Sequence, residues 1–216
     1  MRSARIKPEY GPMLPELFAA RLAGLPRHLR GVLAGAALVC VLVVAFVLAA
    51  RGSASFSHRA DGVSFSFSYV SLQQAATPPG QYVLAVKRRD GQVFVRFEVG
   101  PLTLPSYSGE ISGLEPVMMA NYIRAFAART PGFLLASEGR TRVNAIPGYD
   151  FTYRRVLDGT RYYGRVIFLT PQLSGDRHGL ILSMLVQPVL GAVADPDAVG
   201  EVGVLSEVLA TFSIAS

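Results

Sequence analysis

One uncharged stretch constrains this chain more than any other feature. Residues 31–50 read GVLAGAALVCVLVVAFVLAA and contain no charged side chain. A helix rises about 1.5 Å per residue, so this stretch would be about 30 Å long, which matches the hydrocarbon core of a bilayer. The sequence therefore predicts a transmembrane helix over 31–50. A cleaved signal peptide is the alternative, since residues 53–55 resemble a cleavage site, but the apolar core of such a peptide is usually about 7–15 residues long.

The charges on either side of this stretch predict its orientation. Residues 1–30 carry six Lys and Arg against two Glu, whereas the 14 basic and 13 acidic residues after position 51 nearly cancel. The more basic flank of a span stays in the cytoplasm. We therefore expect a single-pass protein of the cell membrane, with its N-terminus in the cytoplasm and its C-terminal domain outside. The predicted organisation is a cytoplasmic basic tail (1–30), the transmembrane helix (31–50), a juxtamembrane linker (51–60) and an extracytoplasmic α+β domain (61–216).

Net charge and cysteine content exclude several classes of protein. The net charge of +6 comes mostly from the tail beside the apolar stretch, which favours the lipid bilayer as a partner and argues against nucleic acid. Cys40 is the only cysteine, so an intramolecular disulfide and a cysteine metal site are excluded. Gly31 and Gly35 have the small-xxx-small spacing that lets two spans pack closely, and this spacing would allow a homodimer through these residues. Arg occurs 19 times and Lys twice, a bias that suggests a bacterial source.

Periodicity of apolar side chains predicts the fold class of the domain. Residues 62–70, GVSFSFSYV, alternate apolar and polar side chains as a half-buried strand does. Asp90-Gly91 and Asp158-Gly159 each separate two alternating segments, which predicts two hairpins. Residues 180–186 are apolar on both faces, as in a central strand. The predicted class is α+β, a largely antiparallel β-sheet with helices packed on it.

Two helices are predicted between these strands. The first covers about 114–129, where one stripe of apolar side chains would pack on a sheet. The stripe consists of Leu114, Met118, Tyr122 and Phe126, which are spaced by four, with Val117 and Met119 alongside. The second starts at Asp195-Pro196, a favourable cap followed by proline in the first turn. Gly200 and Gly203 weaken this second prediction because glycine disfavours helix interiors.

The same strands and turns resemble a known family. The sequence has a Phe-rich opening strand, a hairpin at Asp90-Gly91, an amphipathic helix and then a characteristic spacing of Asn144, Ile146, Pro147, Gly148, Tyr149, Phe151 and Tyr153. Together they are similar to the PsbP-like family, which includes the DcrB-like and LpqN-like proteins, over about residues 55–215. The resemblance implies an α/β/α sandwich that works by binding other proteins. It implies no catalytic residues.

Motifs of common catalytic and metal sites are absent from the sequence. No Gly-x-Ser-x-Gly elbow, phosphate-binding glycine loop, dinucleotide fingerprint or paired His spacing occurs. We therefore expect no catalytic residues, no metal and no cofactor, and a protein that is not an enzyme. An envelope hydrolase stays an alternative if the acids Glu98, Glu110 and Asp176 meet in the fold. A domain that binds a small ligand, or a sensor, is another alternative.

The hairpin at Asp158-Gly159 supplies a candidate binding surface. A two-residue turn would place Tyr153 opposite Gly164 and Phe151 opposite Val166, with these residues in the core. The opposite face would then carry Arg154, Arg161, Tyr163 and Arg165, which could hold an anionic partner through guanidinium groups and stacking. The alternative is a solvated face on which Asp150 pairs with one arginine. The function predicted from the sequence is a binding or accessory module of the bacterial envelope that engages an envelope protein.

Overall fold

The computed structural model describes residues 53–60, 62–107, 110–170, 177–188 and 192–215, together with Ala36, Leu38–Cys40 and Val43. The chain divides into two units, Met1–Gly52 and Ser53–Ser216. The five described residues of the first unit are helical. Within the described part of the chain, no helix combines the length and the apolar character that crossing a bilayer requires. The predicted tail (1–30), the Gly31/Gly35 pair and most of the predicted span (31–50) lie outside the described residues.

The second unit begins with a small antiparallel sheet. Strand β1 (Ala54–Ala60) pairs with β2 (Val63–Tyr69), and β10 (Ser213–Ala215) pairs with the other edge of β2. The alternation in residues 62–70 is confirmed, because all the apolar side chains of β2 are buried and the serines are only half-buried. Since β1 pairs with β2 along its whole length, the folded unit starts at Ser53, within the segment predicted as a linker.

A larger sheet of seven strands forms the centre of the domain. The strands are β3 (Gln73–Gln74), β4 (Val83–Arg89), β5 (Gln92–Thr103), β6 (Leu134–Val143), β7 (Ile146–Leu157), β8 (Thr160–Leu169) and β9 (His178–Val186). Their order in the sheet is β3-β4-β5-β9-β8-β7-β6, and every neighbouring pair is antiparallel. The strand predicted to be central from its apolar character is β9, the fourth of the seven, which confirms the prediction.

Separate hydrophobic clusters cover the two faces of the large sheet. On one face, helix α1 (Ile111–Arg129) packs Tyr122 and Phe126 against the aromatic side chains of β7 and β8. On the other face, β2 and helix α2 (Val204–Thr211) enclose the larger cluster. The observed α+β class and the antiparallel arrangement confirm the prediction. In the described residues, the second face is covered by a small sheet as well as by α2.

The helices differ in detail from the predicted ones. The predicted stripe of α1 does pack on the sheet through Met118, Tyr122 and Phe126. Met119 beside it is fully buried, whereas Val117 is 58% exposed and lies outside the stripe. The second predicted helix is wrong as a continuous element. A 3₁₀ turn (Pro196–Ala198) follows Asp195, and α2 starts only at Val204. The break has a backbone cause, because Gly200 and Gly203 take φ of +86° and +70°, which a right-handed helix does not allow.

Candidate functional site

The register predicted for the Asp158-Gly159 hairpin is confirmed. β7 and β8 pair Tyr153 with Gly164 and Phe151 with Val166. Asp158 and Gly159 both have positive φ, 49° and 73°, as a two-residue hairpin turn requires. The face predicted as core is the one that α1 covers.

The C-terminal part of the domain covers the candidate arginine face at Arg165. Arg165 and Tyr163 are each only 8% exposed. The Arg165 guanidinium donates from Nε to Asp150 Oδ2 at 2.5 Å and from Nη1 to Glu201 Oε1 at 2.5 Å and the Val199 carbonyl at 3.2 Å. Arg165 therefore fastens the segment after the 3₁₀ turn to the sheet, and its anionic partners belong to the same chain.

A second contact holds the 3₁₀ turn on the same face. The hydroxyl groups of Ser137 and Thr152 each lie 2.6 Å from Asp197 Oδ1, to which they donate. These two hydrogen bonds favour the ionised form and lower the pKa of Asp197. The turn is thereby anchored to β6 and β7.

The four predicted binding residues consequently do not form one open surface. Arg154 and Arg161 are exposed on neighbouring strands, whereas Arg165 and Tyr163 are buried. The prediction of a shared surface fails because the alternation of a strand states which residues share a face, and not whether another element covers it. Asp150 does pair with one arginine, as the alternative had it, but the pair is buried. A role of Arg154 and Arg161 in partner binding stays a prediction.

A different group of charged side chains lines a cleft beside α1. We call it the arginine cleft, and its cavity volume is about 290 Å³. Its charged and phenolic groups come from three elements that the fold brings together. They are Arg96 and Glu98 on β5, Tyr122 and Arg129 on α1, and Tyr153 and Arg155 on β7.

Strand register positions the floor of this cleft. Arg96 is opposite Leu185, and Glu98 is opposite Ser183, so these residues share one face of β5 and β9. Leu185 is in turn opposite Gly164, over which the Tyr153 ring lies. Helix α1 packs over β7, and the cleft opens between this helix and β5.

The cleft holds three arginines and one carboxylate, so its charges do not cancel. Arg96 donates to Glu98 through Nη2. The Nε atoms of Arg96 and Arg155 are buried and have no hydrogen-bond acceptor among the described residues. The Arg129 guanidinium lies 5.5 Å from the ring centroid of Tyr122. Three arginines thus face one carboxylate, and an arrangement of this kind attracts anions.

Burial of the Tyr153 phenol predicts a loss of stability at alkaline pH. Burial raises the pKa of Tyr153 to about 12 from 10.0, although Arg155 opposes the shift. The unfolded chain therefore releases this proton first, so the stabilisation is complete below pH 10 and is lost as the pH rises through 12. We expect Tyr153 to account for a loss of about 2 kcal/mol across this interval. Urea unfolding at several pH values measures it, and a Tyr153→Phe variant with the same alkaline loss would contradict the assignment.

Of the two described acids that were considered for a hydrolase, only Glu98 lines the cleft. Glu98 lies in the cleft, Glu110 is exposed just before α1, and Asp176 lies outside the described residues. In the described part of the chain, no cluster of three or more His, Cys, Asp or Glu side chains could hold a metal ion.

The cleft was not predicted from the sequence, although one strand carries a pattern of charges that points to it. Arg96 and Glu98 occupy one face of a strand whose other face, with Val95, Phe97 and Val99, is buried. Two charged side chains two residues apart on a strand inside the sheet must reach solvent or be paired with an opposite charge. The contributions of α1 and β7 depend on packing between distant segments, so no local pattern predicts them.

One solved structure is similar to this domain in fold. LpqN, a Mycobacterium tuberculosis protein involved in cell envelope biogenesis, aligns with a TM-score of 0.50 and 9% identity over 80% of this chain and 97% of LpqN. The domain has the PsbP-like fold. This fold confirms the resemblance seen in the sequence. No protein-family model and no curated protein matches the chain in sequence.

Two further structures align less closely with the PsbP-like domain. Cyanobacterial PsbP (CyanoP) of Synechocystis has a TM-score of 0.46 and 15% identity over 76% of this chain and 94% of CyanoP. A protein of Bacteroides thetaiotaomicron has a TM-score of 0.46 and 12% identity over 70% of this chain. The alignment covers 45% of the Bacteroides protein, so the chain spans less than half of its length.

Proposed function

We propose that this chain is a single-pass membrane protein of the bacterial envelope, whose extracytoplasmic PsbP-like domain is a binding or accessory module and not an enzyme. The observation that carries the proposal is the arginine cleft, where three cationic side chains on rigid elements surround one carboxylate. Guanidinium groups bind carboxylates and phosphates well and stay protonated, so they suit the recognition of an anionic group better than proton transfer. The membrane part of the proposal rests on the apolar stretch 31–50 and the basic residues before it.

The PsbP-like fold is compatible with this proposal. LpqN, which shares the fold, is involved in cell envelope biogenesis. At 9% identity the likeness to LpqN concerns the fold alone. A role of this chain in the envelope is therefore part of our proposal. Binding of a small ligand in the cleft is the second candidate, because the cleft is concave and combines charged with apolar side chains.

Cysteine labelling tests the proposed topology. Cys40 is the only cysteine, so Cys40→Ala provides a background in which Arg5→Cys and Ala128→Cys can be compared. We expect a membrane-impermeant maleimide to label position 128, which is exposed on α1, in intact spheroplasts. Position 5 should react only after lysis, and carbonate washing should leave the chain in the membrane fraction. Labelling of position 5 without lysis, or release by carbonate, would contradict the proposal.

Photo-crosslinking in living cells tests binding at the cleft. A photoreactive residue at Gln81, which lines the cleft, should give a discrete adduct. The matched control is Gln92, which is exposed at the start of β5 and does not line it. The adduct at position 81 should disappear in an Arg96→Gln variant. Equal adducts at both positions, or an adduct that survives Arg96→Gln, would show that the cleft is not the binding surface.

A further inference from the structure

We infer that the arginine cleft is a binding site for an oxyanion, a phosphate or a carboxylate, carried next to a planar apolar group. The inference deepens the proposed function by naming the chemical class of its ligand. Its test does not depend on membrane topology, so the two proposals can fail separately.

Two unsatisfied donors in the cleft point to an absent acceptor. The Nε–H groups of Arg96 and Arg155 are buried, and neither has an acceptor among the described residues. Buried donors in folded proteins are nearly always paired. A guanidinium presents its Nε–H and a neighbouring Nη–H as a fork that fits the two oxygens of a carboxylate or phosphate. An oxyanion in the cleft would supply acceptors to these guanidinium groups.

The charges of the cleft select an anion over a cation or a neutral group. Arg96 has Glu98 as an ion partner, while Arg129 and Arg155 lie over aromatic rings at 5.5–5.9 Å. Among the residues lining the cleft, Glu98 is the single carboxylate. The cleft therefore keeps an excess of positive charge in a partly desolvated place, where interaction with an anion is stronger than in water.

The remaining walls determine what accompanies the anionic group. Phe126, Ile181 and Leu185 provide apolar surface beside the arginines. The glutamine side chain of Gln81 lies across Gly100, where a Cβ atom would clash with it, and closes the side of the cleft at β5. A volume of about 290 Å³ lies at the lower end of the range for small-molecule sites, so one ring with one anionic group fits.

Calorimetric titration of the full chain in phosphatidylcholine nanodiscs tests the inference. Phenyl phosphate and benzoate are the anionic probes, and benzyl alcohol is the uncharged one. We expect at least one anionic probe to bind with Kd below about 1 mM, and to bind more weakly as NaCl is added. Benzyl alcohol should not bind. Arg96→Gln and Arg155→Gln should each weaken binding about tenfold or more, because each removes a charged donor.

Control variants distinguish binding at the cleft from nonspecific attraction of anions to a basic protein. Arg161→Gln removes an exposed arginine that does not line the cleft, and it should change Kd by less than about twofold. Circular dichroism melting checks that each variant is folded, and Arg96→Lys, which keeps the charge without the fork, should give an intermediate Kd. Absence of binding by both anionic probes, equal binding of benzyl alcohol, or unchanged Kd in Arg96→Gln and Arg155→Gln would overturn the inference.

The same titration distinguishes two sources of the anion. Replacing part of the zwitterionic phosphatidylcholine with phosphatidylglycerol offers a lipid headgroup with a net negative charge. Competition with the soluble probe would assign the site to a lipid headgroup, and unchanged probe binding would assign it to a soluble ligand. Both results support an oxyanion site. Labelling of positions 5 and 128 reports on topology alone, so anion binding with failed labelling would reject the membrane proposal and keep this one.

Discussion

Replacing Arg165 with methionine is expected to lower the free energy of unfolding by about 3–5 kcal/mol. The side chains of Arg165 and Asp150 are only 9% and 12% exposed, and their Nε and Oδ2 atoms are 2.5 Å apart. Without the guanidinium, Asp150 becomes a buried charge without its partner, and the segment at Val199 and Glu201 loses its hydrogen bonds to the sheet. Chemical denaturation at neutral pH measures the loss.

The matched control for this change lies on the same strand and the same face. Arg161 is exposed, so Arg161→Met should change stability by less than about 0.5 kcal/mol. Adding Asp150→Leu to Arg165→Met should restore part of the loss, because the uncompensated carboxylate is removed. The destabilisation of Arg165→Met should also shrink in acid, where Asp150 is protonated and needs no cation. Equal effects of Arg161→Met and Arg165→Met would refute a structural role specific to Arg165.

Replacing Gly164 with valine is expected to cost about 3 kcal/mol or more, although valine favours strands. A Cβ atom at position 164 would lie 2.1 Å from Cζ of Tyr153. That ring cannot easily move aside, since its centroid is 5.2 Å from the ring of Phe126 and 5.4 Å from the ring of Phe133. Thermal and urea unfolding should both show the loss.

Gly139 on the edge strand β6 is the control for this clash. A Cβ atom there would meet nothing within 4 Å, so Gly139→Val should leave stability unchanged or raise it slightly. Combining Gly164→Val with Tyr153→Ala should cost less than the sum of the single changes, because the clashing ring is gone. The account is wrong if Gly164→Val and Gly139→Val are equally stable.

The local features of this domain were predictable because they depend on neighbours in sequence. The alternation of β2 predicted its buried residues, and the two Asp-Gly turns set hairpins whose residues take positive φ. The turn at Asp158 also set the register that places Tyr153 over Gly164. The period of two in a strand and the short range of a hairpin turn leave few alternatives.

The candidate site was predicted less well than the fold. The sequence placed Arg165 on the correct face of β8, yet the chain folds its own segment around Val199 over that face. It also contained Arg96 and Glu98 on one face of β5, without any sign that Arg129 and Arg155 would approach from α1 and β7. A local pattern predicts which side chains share a face, but it does not predict which distant element covers that face.

The amino-acid sequence by itself determined the strand alternation, the hairpin register, the α+β class and the single apolar stretch, because these follow from the geometry of neighbouring residues. Only the tertiary structure decided that Arg165 is buried and that Arg96, Arg129 and Arg155 share a cleft. The physical reason is that burial and electrostatic environment depend on packing between segments far apart in the chain. Glycines 200 and 203 illustrate the boundary between the two: their conformational freedom is visible in the sequence, but the place where α2 begins depends on how the segment packs.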